Sequence, residues 1–288
     1  MRIKICADST CDLSPELVAR YDVNILPLYI SIGDNSLRDG IEVTPADIYR
    51  HVDGGGKLPA TAAITPADYA AEFEAFSAQY DAVLHITIGA GFSSCYQNAC
   101  IAAEPYANVY PVDSQNLSTG QGLVVVEAAK RAAQGMDVQQ LLAELQSLIP
   151  RVEASFLLDR LDYMRKGGRC SMVAVLGANL LKLKPCIEVI DGQMKVVKKY
   201  RGAYDKCIAD YIRERLENRM DQLESDEAFI THAVATDPIR EVAWKTVREY
   251  GSFSEVFETV AGCTVCSHCG PNTLGVLFIR RESLKSET

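Results

Sequence analysis

No stretch of this 288-residue chain is both long and apolar enough to span a bilayer, which excludes a membrane-spanning helix. Positive net charge is also lacking. The formal charge is −9 and the isoelectric point about 5.1, so whole-molecule attraction to nucleic acid or to anionic lipid is disfavoured. A basic segment leading into a short apolar run and a cleavage site is missing. Met1-Arg-Ile-Lys enters a strand directly, so a cytoplasmic location is expected. Internal repeats and low-complexity segments are absent as well, which argues against a solenoid or a disordered chain.

What is present fits a globular protein. Apolar residues make up 48% of the chain, and the length suggests about two domains. Ten cysteines at scattered spacing read as reduced, mostly buried small hydrophobes. Charge is uneven. Arg160 to Lys206 holds eleven Lys and Arg against four Asp and Glu, which leaves −16 for the remainder. Such a stretch is either a solvated loop and hairpin or a docking patch for an acidic partner.

Strands alternate with helices through the first half. Ile3–Ala7 reads as a strand closed by Asp8-Ser-Thr, and Val23–Ile30 as a second strand in which Pro27 suggests an edge or a bend. Ser14-Pro, Thr44-Pro and Thr65-Pro each open a capped helix. Ala82–Ile88 and Val109–Val112 are further strands. This alternation predicts a parallel α/β sheet, with ligands beyond the carboxyl ends of its strands. There the turns at Asp8, Ser93 and Asp113 would gather. The second half is mixed, with an Asp191-Gly192 hairpin, and a boundary is expected near Pro150. The expected architecture is α/β with two domains. Residues 1–150 form a parallel α/β domain and residues 151–288 a mixed α+β domain, with a ligand between them.

The most informative segment is Ala82–Ala99, where an apolar run ends in a glycine turn, Ser93 and Ser94 follow, and a helix begins. The serines are ordinary helix caps, ligands for an anionic head group at the helix start, or a nucleophile. Thr61, after a glycine-rich loop, is a second loop hydroxyl suited to a head group. A serine-hydrolase reading would use Ser93, Asp113 and His268 in that chain order. Against it, Cys95 replaces the second elbow glycine and no oxyanion-loop motif is present.

Cys263, Cys266 and Cys269, with His268, carry metal-like spacing, but no partner C-x2-C exists elsewhere, and metal binding is not expected. Continuing the preceding strand through Cys266 would place Cys263 and Cys266 on opposite faces, and His268 on a turn before Gly270-Pro271. Arg169, after Gly167-Gly168, is a surface arginine or a guanidinium fixed at a domain mouth.

Together these pieces resemble the DegV family of bacterial fatty-acid-binding proteins along nearly the whole chain. The matching stretches include Asp8-Ser-Thr-Cys-Asp-Leu13, Asp39-Gly40, Phe92-Ser-Ser-Cys-Tyr-Gln97, Leu161-Asp-Tyr-Met-Arg-Lys-Gly-Gly-Arg169 and His268-Cys-Gly-Pro271. The resemblance implies a two-domain α/β carrier that encloses one long-chain fatty acid, such as palmitate. It implies no cofactor and no catalysis. By that resemblance Thr61 and Ser93 hold the carboxylate, Ser94 adds a backbone donor, and His268 completes the polar network. Some members present the fatty acid to a partner fatty acid kinase that makes acyl phosphate for lipid metabolism. Arg169 and the basic segment around it would be the docking surface. Thr61-Ala-Ala63 and Ser93-Ser-Cys95 stand where members usually have Thr-Ser-Gln and Ser-Gly-Thr.

Overall fold

Ile3–Asp8 (β1) lies inside a parallel sheet, and the computed structural model describes residues 1–169 and 183–282. On one side β1 pairs with Asn24–Leu26 (β2), on the other with Ala82–Thr87 (β6), and β6 pairs with Val109–Asp113 (β7). All six residues of β6 are buried, which is why Ala82–Ile88 reads as one apolar run rather than an alternation. Helices α1 (Pro15–Arg20), α2 (Pro45–Asp53) and α3 (Pro66–Ser77) start where the Ser-Pro and Thr-Pro pairs predict. Thr44 with Asp47, and Thr65 with Asp68, form full capping boxes.

One ionisable group interrupts that run. His85 is fully buried, with Nδ1 bonded to Glu72 Oε2 at 2.6 Å and Nε2 to Asp8 Oδ1 at 2.9 Å. Tyr69 also donates to Asp8 Oδ1 at 2.7 Å. Burial alone would lower the His85 pKa, but the Glu72 charge and the bonds to Asp8, Cys6 and Glu72 outweigh it and raise it well above the ordinary value. An imidazolium between two carboxylates therefore braces β1, β6 and α3.

The expected single strand over Val23–Ile30 is two strands in two sheets. β2 ends at Leu26, and Tyr29–Ile32 (β3) joins a small antiparallel sheet with Asn35–Arg38 (β4) and Ala60–Ala62 (β5). Pro27 has no N–H to continue the first ladder. The Leu28 N–H donates to Ser9 Oγ at 3.1 Å instead.

After Val138–Leu148 (α6) and Pro150, Val152–Leu157 (β8) enters a mixed sheet. Its six strands run β10-β9-β8-β13-β11-β12. These are Leu183–Ile190 (β9), Gln193–Arg201 (β10), Glu227–His232 (β11), Glu255–Val260 (β12) and Leu274–Ile279 (β13). The β9–β10 turn is Asp191-Gly192, both at positive φ (53° and 68°), as a tight hairpin requires. Helices α8 (Tyr204–Leu216) and α9 (Asp237–Tyr250) cover one face of this sheet. Thr119–Ala133 (α5) touches β1 and β6 as well as β8 and β13, so it lies between the two sheets. Its Val124, Val125 and Val126 are fully buried for that reason. No helix among the described residues is long and apolar enough to cross a membrane.

Cys263–Cys269 is a helix (α10), not the continuation of a strand, and His268 lies in its last turn. Gly262 offers no side-chain cap, so nothing local starts the helix. Two carboxylates from the first half do. Asp39 accepts from the Cys263 and Thr264 N–H groups at 2.8 and 3.0 Å and from the Thr264 hydroxyl at 2.7 Å. Asp12 accepts from the Gly262 N–H at 2.8 Å. Together they satisfy the helix's first donors.

Candidate functional site

The carboxyl ends of β1, β6 and β7 meet through hydrogen bonds. Ile88 N–H donates to Asp8 Oδ2 at 2.9 Å, Gly89 N–H to the Asn116 carbonyl at 2.7 Å, and Ala90 N–H to Asp113 Oδ1 at 3.0 Å. These bonds fix the turn that carries Phe92, Ser93 and Ser94 into Cys95–Ala103 (α4). Beside it lies a cavity of about 130 Å3 with Thr61, Ser93, Ser94, Arg169 and His268 on its wall. Five residues singled out in the sequence thus share one cavity. Leu28, Ile88, Phe92, Met164 and Met194 make its apolar walls.

Thr61 is central in β5, opposite Ile30 of β3. Its neighbours Ala60 and Ala62 are exposed while Thr61 is half-buried, as strand alternation requires. Thr61 Oγ1 and His268 Nε2 are 2.9 Å apart. His268 Nδ1 is buried without a hydrogen-bond partner among the described residues. A proton there would be an unsatisfied buried donor, so the imidazole proton belongs on Nε2 and is donated to Thr61. The Thr61 hydroxyl proton is then left to point into the cavity. Burial, aided by the Arg169 charge, lowers the His268 pKa to about 4, so the ring is neutral near pH 7. Gly167, at the end of Asp162–Gly167 (α7), permits this approach. A Cβ there would stand 2.3 Å from His268 Nδ1.

The N-cap position of α4 is Ser94, which makes no side-chain cap bond, so the capping reading fails in its usual form. Ser93, one residue earlier, holds the first helical residue instead: its Oγ accepts from the Cys95 N–H at 3.3 Å and donates to Cys95 Sγ at 3.2 Å. Ser93 also lines the cavity, and the weak bond to the thiol is the one its hydroxyl would exchange for a head group. Burial raises the Cys95 thiol to about 11, so it stays protonated. Arg169 is exposed and donates to the Gly167 carbonyl at 2.9 Å, which places a cation beside the opening.

The hydrolase arrangement does not assemble. His268 bonds Thr61, not Ser93. Asp113 accepts from the Ala90 and Gln115 backbone N–H groups and not from His268. Among the described residues, the donor atoms of Cys263, Cys266, His268 and Cys269 do not gather as a metal-binding set. The group that does is Cys6, Glu72 and His85, whose imidazole is already engaged by two carboxylates. The basic stretch is partly neutralised. Lys184 pairs with Asp159 and Lys198 with Glu214 at 2.5 and 2.6 Å, and residues 170–182 lie outside the described region.

A family model described as "Uncharacterised protein, DegV family" matches residues 2–281. The chain belongs to the DegV family. A DegV domain-containing protein of Caldanaerobacter subterraneus is 28% identical over 96% of this chain and 98% of its own length. A solved DegV family protein of Thermus thermophilus, described by its fatty acid binding, superposes with a TM-score of 0.90 at 28% identity, over 98% of this chain and all 100% of its own. A stearic acid-binding protein of Eubacterium ventriosum superposes at 0.82 with 26% identity, over 96% and 98% of the two chains. Asp12 and Asp39 escaped sequence reasoning as site-building residues of this DegV chain. Both lie in the quoted motifs, but no local pattern says that a helix more than 200 residues away needs their carboxylates.

Proposed function

We propose that this DegV protein binds one long-chain fatty acid and carries it without catalysing a reaction of its own. The observation that carries the reading is the Thr61 hydroxyl, held by neutral His268 and turned toward an apolar cavity that Ser93 also lines. The solved relatives described as binding fatty acid or stearic acid support it. In this reading residues 1–150 supply the carboxylate ligands, Thr61 from β5 and Ser93 and the Ser94 backbone from the turn before α4. Residues 151–288 supply His268 and much of the wall around the tail.

The energetics suit a carrier. A palmitate tail buries about fourteen methylenes, worth on the order of 11 kcal/mol gross at roughly 0.8 kcal/mol each. Each hydrogen bond to the charged head contributes only about 1.5–3 kcal/mol, against a desolvation cost of several. The tail therefore provides the affinity, and the hydroxyls fix which end enters. The carried acid would be presented to a partner fatty acid kinase, with exposed Arg169 at the opening as a contact for an acidic or phosphorylated group. The test is native mass spectrometry of protein purified from its own cells. A copurified fatty acid is expected. Protein that carries none and takes up no added palmitate would overturn the reading.

A further inference from the structure

A second, smaller cavity of about 30 Å3 lies behind the first. The two share three wall residues, Leu117, Val265 and Cys269, all buried. The inner cavity is otherwise largely apolar, with Ala154, Phe156, Ala233, Ala261 and Leu277 around it. It lies between the Leu117–Ser118 segment, α10 and the mixed sheet, on the other side of those three residues from Thr61 and Ser93.

Size makes this partition matter. A cavity of about 150 Å3 is known to take up benzene. The outer cavity, at about 130 Å3, is of that order, and the inner one adds about 30 Å3, so a long acyl tail must widen the path between them as it enters. We infer that Leu117, Val265 and Cys269 form a partition that a long acyl tail must pass to reach the inner cavity, and that Val265 sets the chain length retained. This rests on the fatty-acid reading above and adds the determinant of chain length.

Val265 is the decisive member for two reasons. A valine in a helix has one dominant χ1 rotamer, so it does not swing aside as Leu117 can. Its helix, α10, is also pinned at its start by Asp12 and Asp39. Val265 precedes His268 by three residues, so the residue that orients the head-group hydroxyl and the residue that limits the tail share one helix. Each methylene admitted beyond the partition should strengthen retention about fourfold.

The experiment compares the wild type with Val265→Ala and Ala261→Val. Each delipidated full-length protein is offered an equimolar mixture of lauric, myristic, palmitic and stearic acids, and the bound acids are quantified by native mass spectrometry. Val265→Ala opens the partition and should shift the bound population toward the longer acids by at least fourfold relative to the wild type. Ala261→Val adds bulk to the wall of the inner cavity alone, changes none of the three partition residues, and should shift it toward the shorter ones. Unchanged profiles, or both variants moving in the same direction, would overturn the partition while leaving fatty-acid binding standing. A wild type that takes up none of the four acids would overturn the fatty-acid reading, and the partition with it.

Discussion

Thr61 Oγ1 and His268 Nε2 stand 2.9 Å apart although 207 residues separate them in the chain. The imidazole donates, so the threonine hydroxyl has its own proton to offer a carboxylate. Thr61→Val keeps the shape and removes that donor. It should weaken palmitate retention by about tenfold or more, the loss of one hydrogen bond to a charged group. Ser93→Ala should also weaken retention, with a small stability loss because the Cys95 N–H loses its acceptor. Palmitate titration and urea unfolding of both variants check this. Retention unchanged in Thr61→Val would show that the head group sits elsewhere.

His268 offers a direct probe of the site. Its pKa is lowered to about 4 by burial and then by Arg169. Between about 4 and the ordinary 6.5 the unfolded chain binds a proton that the folded chain refuses, so stability falls as the pH drops through that window. A carboxylate seated at Thr61 would favour the imidazolium. Imidazole NMR titration should therefore give a value near 4 in delipidated protein and a higher one after palmitate loading. An identical value in both states would place the head group away from His268.

Asp12 titrates with the opposite sense. Burial raises its carboxyl to about 8, against the bonds from Ser118 and the Gly262 N–H. Between the ordinary 3.8 and about 8 the folded chain holds a proton that the unfolded chain has lost, so stability falls as the pH rises through that window and levels off above it. Asp12→Asn resembles the protonated form. Its carbonyl accepts from Gly262, and its amide can donate to Ser118. Relative to the wild type, this variant should gain stability as the pH rises from about 5 to 8, measured by urea unfolding across that range. Asp39→Asn should behave differently. Both Asp39 oxygens accept, and an amide nitrogen would leave a Thr264 donor unpaired at a cost of about 1–3 kcal/mol at any pH.

The contrast between α3 and α10 shows what the residue pattern could reveal. Thr65-Pro-Ala-Asp68 carries its own start signal, and the helix begins there. Cys263–Cys269 carries none, and its start depends on Asp12 and Asp39. A local reading therefore extends the preceding strand and misplaces His268 on a turn. Pro27 suggests an edge or a bend, and β2 is an edge strand, but the proline also marks a change of sheet, because a missing N–H is legible and the strand's next partner is not. Hydroxyls such as Thr61 and Ser93 stand out by type and setting, although Thr61 lies on strand β5 and not on the loop that its glycine-rich surroundings suggest. Cavity walls such as Leu28, Val265 and Met194 look like any core residue until the chain is folded.

His85 is a buried charge that the apolar run around it conceals. Its two carboxylate partners, Asp8 and Glu72, come from β1 and α3. Removing one partner of such a group leaves an uncompensated charge in the core. Glu72→Leu or His85→Ala should each cost about 3–5 kcal/mol, read as a drop in the urea midpoint. The double variant should lose less than the sum, because it leaves no lone partner of that pair. Strict additivity would mean that the two groups do not act as a pair.

Arg169 separates site electrostatics from partner contact. Its charge is the second cause of the low His268 pKa, after burial, so Arg169→Ala should raise that value from about 4 only part of the way toward 6.5. The guanidinium is exposed, and solvent screens its pull on a bound carboxylate, so palmitate retention should fall by less than about tenfold. If the carried acid is handed to a kinase at this opening, acyl-phosphate formation in the reconstituted pair should fall much further than retention does. Retention and transfer are measured on the same protein, by palmitate titration and by phosphate incorporation into the acyl product. Equal losses in both would assign Arg169 to holding the lipid rather than to meeting the partner.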